Sequence, residues 1–199
     1  MHRIGPINGR LHLIDSEISY FPNFISRDEA WVVFDELLSQ TRWQQDTIKV
    51  FGKEYFQPRL TSLYGNNGKP YSYSNLTLQP HSFTPLLLDL KKLVDIKCNT
   101  HFTTCLLNLY RNGKDSNGWH ADNEKELGPQ PLIASLSFGQ ERFFHLKHRK
   151  LVSERYKLLL EHGSLLIMSG DTQKNWLHQI PKTSRLVKER INLTFRVIQ

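Results

Sequence analysis

Short β-prone runs separated by turns fill the second half of the chain, and this pattern restricts the possible folds more than any other feature. No helical pattern of comparable length interrupts them. Because strand follows strand with turn signals between, we expect a mainly β architecture, either a sandwich or a jelly roll. The predicted strands are Phe102–Tyr110, Leu132–Phe138, Arg142–His148, Tyr156–Leu160, Ser164–Met168, Trp176–Ile180 and Arg190–Val197.

Two amphipathic helices are predicted to flank these strands. The first follows Ser26-Arg-Asp-Glu29, which has the form of a capping box, and the second begins at Thr84-Pro85, with proline in its first turn. Apolar residues recur at helical spacing on one face of each helix, so we expect both helices to pack on the sheet. These faces contain Ala30, Val33, Phe34, Leu37 and Leu38 in the first helix and Leu86, Leu87, Leu90, Leu93 and Val94 in the second.

The length and composition indicate one globular domain. The 199 residues suffice for a sizeable core, and a hydrophobic content of 39% excludes a disordered chain. The chain has 26 Lys and Arg residues and 19 Asp and Glu residues, which gives a formal net charge of +7. This positive charge favours an anionic macromolecular partner, although other basic soluble proteins have a similar excess of Lys and Arg. The two cysteines, Cys98 and Cys105, imply no disulfide framework and favour a reducing compartment.

The sequence lacks membrane and export signals. No apolar run approaches the roughly 18 residues of a membrane span, and the opening residues Met1–Pro6 do not form a signal-peptide pattern. We therefore expect a soluble monomer that is not secreted, cytoplasmic in a prokaryote or nuclear in a eukaryote.

A candidate metal site begins at His120-Ala-Asp122. On an extended segment, side chains two positions apart point to the same side, so this imidazole and carboxylate can bind one ion together. A third ligand far downstream, for which His178 is the candidate, would complete the two-histidine, one-carboxylate set that suits non-haem Fe(II). A lone His-x-Asp also occurs in ordinary surface loops, so the motif needs support from its surroundings.

The closing run Arg190–Arg196 provides that support, because alternation separates a polar face from an apolar face. The polar face contains Arg190, Asn192, Thr194 and Arg196, and the apolar face contains Ile191, Leu193 and Phe195. In the predicted strand Phe102–Tyr110, alternation likewise places Leu106, Asn108 and Tyr110 on one face. The planar guanidinium group of arginine can donate two parallel hydrogen bonds to a carboxylate. Arginines in such a strand can also be solvated. Unpaired polar groups inside a barrel would cost about 2 to 7 kcal/mol each, and a bound dianion would pair them.

Six segments, in matching order and spacing, resemble the AlkB family of iron- and 2-oxoglutarate-dependent nucleic-acid dealkylases. They are Asn108-Leu-Tyr110, His120-Ala-Asp122, Ile133-Ala-Ser-Leu-Ser-Phe-Gly139, His162-Gly-Ser-Leu-Leu-Ile-Met168, Trp176-Leu-His178 and Arg190-Ile-Asn-Leu-Thr-Phe-Arg196. The resemblance runs from about Pro22 to the end of the chain, and the last segment is characteristic of this family rather than of 2-oxoglutarate enzymes at large. It implies a double-stranded β-helix core.

The resemblance also implies the cofactors Fe(II) and 2-oxoglutarate, with O2 as co-substrate. His120, Asp122 and His178 would hold the iron. Arg190, helped by Tyr110 and Thr194, would bind the distal carboxylate of 2-oxoglutarate. Arg196 with Asn108 would bind near the chelating carboxylate, and Asn192 is assigned to the same site.

By resemblance, the domain divides into an N-terminal helical region (1–43), a nucleotide-recognition lid (44–83) and a helix plus jelly-roll core (84–199). Val50-Phe-Gly-Lys53 is similar to the wedge of the family's duplex-DNA-specific member, and Tyr71-Ser-Tyr-Ser74 resembles the part of the lid that stacks on the damaged base. The lid residues assigned to substrate are Phe51, Gly52, Lys53, Arg59, Tyr71, Ser72 and Tyr73. Without the resemblance, Phe51 would be expected to pack inward.

Two residues after the metal motif complete the predicted substrate site. Glu124 is a candidate contact to the flipped base. Asn123 occupies a position where several relatives carry an acidic residue, and a neutral amide attracts a cationic methylated base less strongly. This departure leaves the range of lesions open.

The implied activity is oxidative demethylation of N1-methyladenine and N3-methylcytosine in single- or double-stranded DNA, with release of formaldehyde, succinate and CO2. These lesions block base pairing, so a damaged base costs less to extrude than an intact one. RNA is an alternative substrate. Two other classes stay open: a 2-oxoglutarate-dependent hydroxylase of a protein or small molecule, and a non-catalytic nucleic-acid binder of the same fold.

Overall fold

The structure is a computed structural model that describes residues 1–50, 53–66, 68–69, 71–73 and 76–198. The helices are α1 (Arg27–Gln40), α2 (Pro85–Cys98) and α3 (Thr172–Asn175), and a 3-10 turn covers Lys125–Leu127. The strands are β1 (His2–Arg3), β2 (Gly9–Leu11), β3 (Glu17–Phe21), β4 (Thr47–Val50), β5 (Lys53–Phe56), β6 (Leu60–Gly65), β7 (Tyr71–Tyr73), β8 (Leu76–Leu78), β9 (Thr104–Tyr110), β10 (Asn117–His120), β11 (Ile133–Gly139), β12 (Arg142–His148), β13 (Arg155–Leu160), β14 (Ser164–Ser169), β15 (Trp176–Ile180) and β16 (Arg190–Arg196).

Two large sheets form the core of the protein. The larger has the strand order β2-β3-β14-β11-β16-β9-β6, and the smaller has the order β1-β13-β12-β15-β10. Side chains from both sheets, such as Leu166 of the larger and Leu146 of the smaller, share one buried cluster. This arrangement confirms the predicted mainly β jelly roll.

All seven predicted runs form strands, and β4 lies in the β-prone run predicted at Ile48–Lys53, but several other strands before residue 84 were not expected. The region 1–43, predicted to be helical, also contributes β2 and β3 to the larger sheet, and the region 44–83, predicted to be a lid, contributes β6. The β4–β5 and β7–β8 pairs form two separate two-stranded sheets. Phe51 and Gly52, which join β4 to β5, lie outside the described residues.

The two long helices cover the outer side of the larger sheet. Ala30, Phe34 and Leu37 of α1 are buried in the same cluster as Leu193 and Phe195 of β16. The buried residues of α2 are Leu87, Leu90 and Val94, whereas Leu93 is 50% exposed. Leu93 lies roughly 100° around the helix from the centre of that buried face, so the predicted stripe was too wide.

The helix starts differ in their capping. The Thr84 hydroxyl accepts a hydrogen bond from the Leu87 backbone N–H at 3.3 Å, as the sequence predicts. The Ser26 hydroxyl instead donates to the Glu29 carboxylate at 2.5 Å and caps no backbone group. No helix among the described residues is long and apolar enough to cross a membrane.

The pairing of strands brings distant parts of the chain to one interior surface. β10 pairs with β15, which places His120 directly opposite His178. In the larger sheet β16 lies between β11 and β9, with Arg190 opposite Tyr110 and Asn192 opposite Asn108. The inner faces of the two sheets therefore carry the predicted metal ligands and the predicted cofactor residues.

Candidate active site

The three predicted metal ligands form one cluster. The side chains of His120, Asp122 and His178 each offer a ligand atom, and these atoms lie within 4.8 Å of one another. His120 Nε2 is 4.0 Å from Asp122 Oδ1, and His178 Nε2 is 3.9 Å from Asp122 Oδ2. Two imidazoles and a carboxylate on one side of an ion are the donor set that suits Fe(II) with open coordination positions.

Neighbouring backbone determines which nitrogen of His120 would bind an ion. His120 Nδ1 lies 2.7 Å from the Gly118 carbonyl oxygen, and because a carbonyl only accepts, Nδ1 carries the proton. The lone pair is then on Nε2, where the Asn117 side-chain amide donates at 3.2 Å. A metal-binding histidine is commonly oriented in this way, through the nitrogen that does not bind the ion.

Burial keeps His178 in the neutral form that binds metals. Burial and the nearby His120 lower the pKa of His178 to about 3, although Asp122 opposes them. The ring of Phe144 stacks on His178 with centroids 5.1 Å apart and an interplanar angle of 28°. Desolvation also lowers the pKa of His120. Both rings are therefore unprotonated at neutral pH, and Phe144 fixes the orientation of one of them.

Asp122 is held by two other residues. Its Oδ1 accepts from Arg196 Nη2 at 2.9 Å, and its backbone N–H donates to the Gln173 side chain at 2.9 Å. Burial alone would raise the pKa of Asp122, but the positive charge of Arg196 and the hydrogen bond that it donates outweigh burial and hold the pKa well below its usual range. The carboxylate is therefore ionised and ready to bind a cation.

A cavity of about 220 Å³ opens beside the ligands. Polar side chains of β9, β11 and β16 line it together with apolar residues from both sheets. The polar members beside the ligands are Arg59, Asn108, Tyr110, Asn117, Glu124, Ser135, Gln179, Arg190, Asn192, Thr194 and Arg196. All six residues that the sequence assigned to the 2-oxoglutarate site therefore line one cavity.

Arg190 is the most deeply buried cation of this cavity, at 1% exposure. Its Nη2 donates to the Ser137 hydroxyl at 2.9 Å, and its guanidinium lies 5.2 Å from the centre of the Tyr110 ring. Its Nε and Nη1 are buried without a hydrogen-bond partner among the described residues. Two unsatisfied donors on one planar group fit the two oxygens of a carboxylate. The pocket is therefore suited to the distal carboxylate of 2-oxoglutarate.

The predicted cofactor residues Arg196, Asn108 and Asn192 also contact other protein groups. Arg196 pairs with the metal ligand Asp122. The Asn108 side-chain oxygen accepts from Arg59 Nε at 2.8 Å. Asn192 donates to Ser135 and accepts from Thr194, which fixes its amide orientation. The assignment of Arg196 and Asn108 to the chelating end of 2-oxoglutarate stays a prediction.

The predicted substrate residues are spread over several places. Glu124 lines the cavity beside the metal ligands, whereas Asn123 is exposed and lines a separate depression with Arg149 and Lys174. Arg59, predicted in the lid, is instead 7% exposed inside the cavity because β6 belongs to the core sheet. Lys53 is exposed on β5, and Tyr71, Ser72 and Tyr73 form β7. Phe51 and Gly52 lie outside the described residues.

Three supporting residues were not found from the sequence. Gln173 reaches the backbone of Asp122 from α3, and Ser137 holds Arg190 from β11. The Arg142 side chain donates to the carbonyls of Asn112, Asp115 and Pro181 and so ties the two loops at the cavity end together. Alternation places Ser137 on the inner face, but no local signal distinguishes Gln173 or Arg142, since their partners are distant in sequence.

Comparison with known proteins agrees with this geometry. The profile of the 2OG-Fe(II) oxygenase superfamily matches residues 17–196. One relative is alpha-ketoglutarate-dependent dioxygenase alkB homolog 3 of Bos taurus, which is 42% identical over 192 residues. The match covers 92% of this chain and 66% of the relative, so the chain spans just under two thirds of that protein. DNA oxidative demethylase ALKBH2 of Homo sapiens is 35% identical over 207 residues, covering 99% of this chain and 79% of the relative.

A solved structure shares the fold. The structure of OsALKBH1 superposes with a TM-score of 0.67 at 18% identity, and the match covers 94% of this chain and 99% of that one. At this identity the likeness concerns the fold alone. The sequence relatives and the superfamily profile show the family as well as the fold: the chain belongs to the AlkB family of 2OG-Fe(II) oxygenases.

Proposed function

We propose that this protein is an oxidative demethylase of N1-methyladenine and N3-methylcytosine in DNA. The observation that carries the proposal is the cluster His120, Asp122 and His178 at the edge of a cavity whose deepest cation, Arg190, has two unsatisfied donors. This combination provides for one metal ion and one dianion side by side. Relatives named as a DNA oxidative demethylase and as alkB homologues support nucleic acid as the substrate.

Fe(II) with 2-oxoglutarate and O2 supplies the oxidising chemistry, which inserts oxygen into an N-methyl C–H bond. The residues of the chain orient the reactants. Neutral His120 and His178 and ionised Asp122 would hold the ion, and Arg190 with Tyr110 would anchor the far end of the dianion. The apolar wall formed by Phe144, Leu160 and Leu166 keeps water away from the reacting groups. The hydroxylated methyl group then leaves the ring nitrogen as formaldehyde.

A cationic base fits the open side of the cavity. N1-methyladenine and N3-methylcytosine carry a positive charge, and Glu124 supplies a carboxylate to the cavity next to the metal ligands. His120 is the partly exposed ligand, with 33% of its side chain accessible, so the base would enter from its side. Because Asn123 lies outside this cavity, we propose that its neutral amide contacts the flanking strand rather than the lesion.

We further propose that the protein works as a monomer, in the cytoplasm of a prokaryote or the nucleus of a eukaryote, and on nucleic acid in either strand state. The net charge of +7 favours association with a polyanion. The exposed β4–β5 hairpin, with Tyr55 and Phe56 accessible, provides surface for a nucleotide-recognition lid.

Release of formaldehyde and succinate from matched oligonucleotides tests the proposal. The substrates are single-stranded DNA, duplex DNA and single-stranded RNA with one N1-methyladenine each, together with unmethylated controls. We expect equal amounts of formaldehyde and succinate from methylated DNA and none above background from the controls. Faster turnover on RNA would assign the protein to RNA demethylation, and no formaldehyde from any methylated strand would refute the proposal.

A further inference from the structure

The smaller sheet has an outer side that faces away from the metal ligands. Alternation along β10, β12, β13 and β15, together with the register of β1, determines which residues lie there. They are Arg3, Trp119, Phe143, His145, Lys147, Arg155, Lys157, Leu159 and Leu177, and we call this set the outer sheet face. Its members are exposed or partly exposed, so the face is open to a partner.

The charge of the outer sheet face has one sign. Its charged residues are Arg3, Lys147, Arg155 and Lys157, and none of its strand residues carries a carboxylate. Burial and the nearby Lys157 lower the pKa of His145, so this imidazole is neutral at neutral pH. The acidic residues Glu141, Glu154 and Glu161 lie beyond the ends of β12 and β13, and the Glu154 carboxylate accepts a hydrogen bond from the Tyr156 hydroxyl. Cations without counter-charges on one surface attract a polyanion.

Aromatic rings lie between these cations. Lys147 Nζ is 4.4 Å from the centre of the Trp119 ring, and Lys157 Nζ is 5.2 Å from the centre of the Phe143 ring. The Arg3 guanidinium is 5.7 Å from the same Phe143 ring. Such contacts are weak at exposed sites, and lysine stems are flexible, so the ammonium groups can move onto phosphates and uncover the rings. Uncovered rings are platforms on which unpaired bases stack.

The outer sheet face begins next to the cavity entrance. Trp119 directly precedes the metal ligand His120 on β10, and β10 is the outermost strand of its sheet. The His120 side chain is partly exposed at this edge, whereas His178 on the neighbouring strand is buried. A strand whose base enters the cavity beside His120 can therefore pass around β10 and continue onto the outer sheet face.

We propose that the outer sheet face binds the unpaired nucleotides that flank the base in the cavity, with phosphates at Lys147 and Lys157 and bases on Trp119 and Phe143. The proposal rests on the proposed function, since it extends the path of the same strand. Single-stranded nucleic acid is favoured over duplex because the rings are useful only to bases that are free to stack.

Binding of a single-stranded 15-nucleotide DNA, measured by fluorescence anisotropy over a range of salt concentrations, tests the charge component. The variant combines Lys147→Ala with Lys157→Ala. The matched control combines Lys92→Ala with Lys97→Ala on α2. Lys97 Nζ lies 3.8 Å from the centre of the Phe21 ring, so the control also removes a lysine that contacts an aromatic ring. Each lost phosphate contact lowers the slope of log affinity against log salt by about 0.7. We expect the slope to fall by about 1.4 in the variant and to stay unchanged in the control.

Trp119→Leu tests stacking separately. This change keeps an apolar side chain and the charge, so binding of the 15-nucleotide strand should weaken several-fold with an unchanged salt slope. A fully paired duplex of the same sequence should show no loss from Trp119→Leu. Equal losses on both forms would overturn the assignment of unpaired bases to this face.

Turnover distinguishes this inference from the proposed function. A methylated mononucleotide has no flanking nucleotide to place on the outer sheet face, so the double lysine variant should process it within about twofold of wild type and lose about tenfold in kcat/KM on the methylated 15-nucleotide strand. If wild type turns over both substrates and the double variant matches its control, the inference is overturned. If wild type turns over neither, the proposed function fails, and the salt-dependent binding still decides the inference.

Discussion

Arg190 brings a positive charge into the interior of the protein, where it contacts the Ser137 hydroxyl and the Tyr110 side chain. Burial lowers the pKa of Arg190 to about 10, so the guanidinium stays charged at neutral pH. Its two unsatisfied donors cost stability in the ligand-free protein, because buried polar groups without partners are unfavourable. A bound dianion would remove that cost.

Replacing Arg190 with Met, a side chain of similar length and no charge, should therefore have two opposite effects. The melting temperature of the ligand-free protein should rise, because an uncompensated buried charge is lost. The affinity for 2-oxoglutarate in calorimetry should fall about 30-fold or more, since losing a partner of a buried charge costs about 2 to 5 kcal/mol. The same change at Arg185, which is exposed and lies outside the cavity, is the control, and unchanged 2-oxoglutarate affinity in Arg190→Met would contradict the assigned role.

Gln173 supports the metal site without contributing a ligand. It is 1% exposed, accepts from the Asp122 N–H and lies 3.5 Å from the Met168 sulfur. Gln173→Leu should leave that N–H unsatisfied, which costs about 1 to 3 kcal/mol of unfolding free energy. Metal affinity should fall about tenfold, as for other residues that orient ligands. The neighbouring exposed Lys174→Ala should change neither quantity, and equal metal affinity in both variants would show that Gln173 does not position Asp122.

At the scale of elements, the two helix starts contain similar sequence signals but different contacts. Thr84 caps a backbone N–H of α2, whereas the Ser26 hydroxyl binds the Glu29 side chain. Thr84→Ala should therefore lower the unfolding free energy in urea by about 1 kcal/mol, the usual effect of losing an N-cap. Ser26→Ala should cost only a few tenths of that amount. A larger effect at Ser26 would mean that its hydroxyl caps the helix in solution.

The β4–β5 hairpin is a separate element in which the sequence predicts a wedge. Phe51 lies outside the described residues, so its role stays a prediction from the sequence. Phe51→Ala should lower activity on methylated duplex DNA about tenfold and leave single-strand activity nearly unchanged, because stacking on a ring is worth about 1 to 3 kcal/mol only where a duplex must be opened. Ile96→Ala, at an exposed apolar residue of α2, is the control. Equal losses on both substrates would indicate a core role for Phe51.

Elements that follow a strong period were predictable, and those that depend on distant partners were not. The strands after residue 102 alternate clearly, and their runs match β9 and β11 to β16. β3 is short and carries a charge and a serine, so only its pairing with β14 distinguishes it from a loop. α3 spans four residues, too few for a helical period.

Over the whole molecule, the sequence predicted the chemistry of the site better than its supporting contacts. The spacing of His120 and Asp122 and the alternation of β16 identify inward-facing side chains from local sequence alone. The pairing of Arg196 with Asp122 and the inward position of Arg59 depend on which strands become neighbours, and local patterns do not contain that information. The separation of Asn123 from Glu124 arises in the same way, from the bend after β10.

The most direct test of the central claim is formaldehyde release by Asp122→Ala, with bound iron measured on the same samples. Wild type should bind one Fe(II) per chain and release formaldehyde from single-stranded DNA containing N1-methyladenine. Asp122→Ala should lose both while keeping the wild-type circular dichroism spectrum, because a ligand is removed and the core is not. Near wild-type turnover by Asp122→Ala in the presence of excess iron would contradict the assignment of His120, Asp122 and His178 as the metal site.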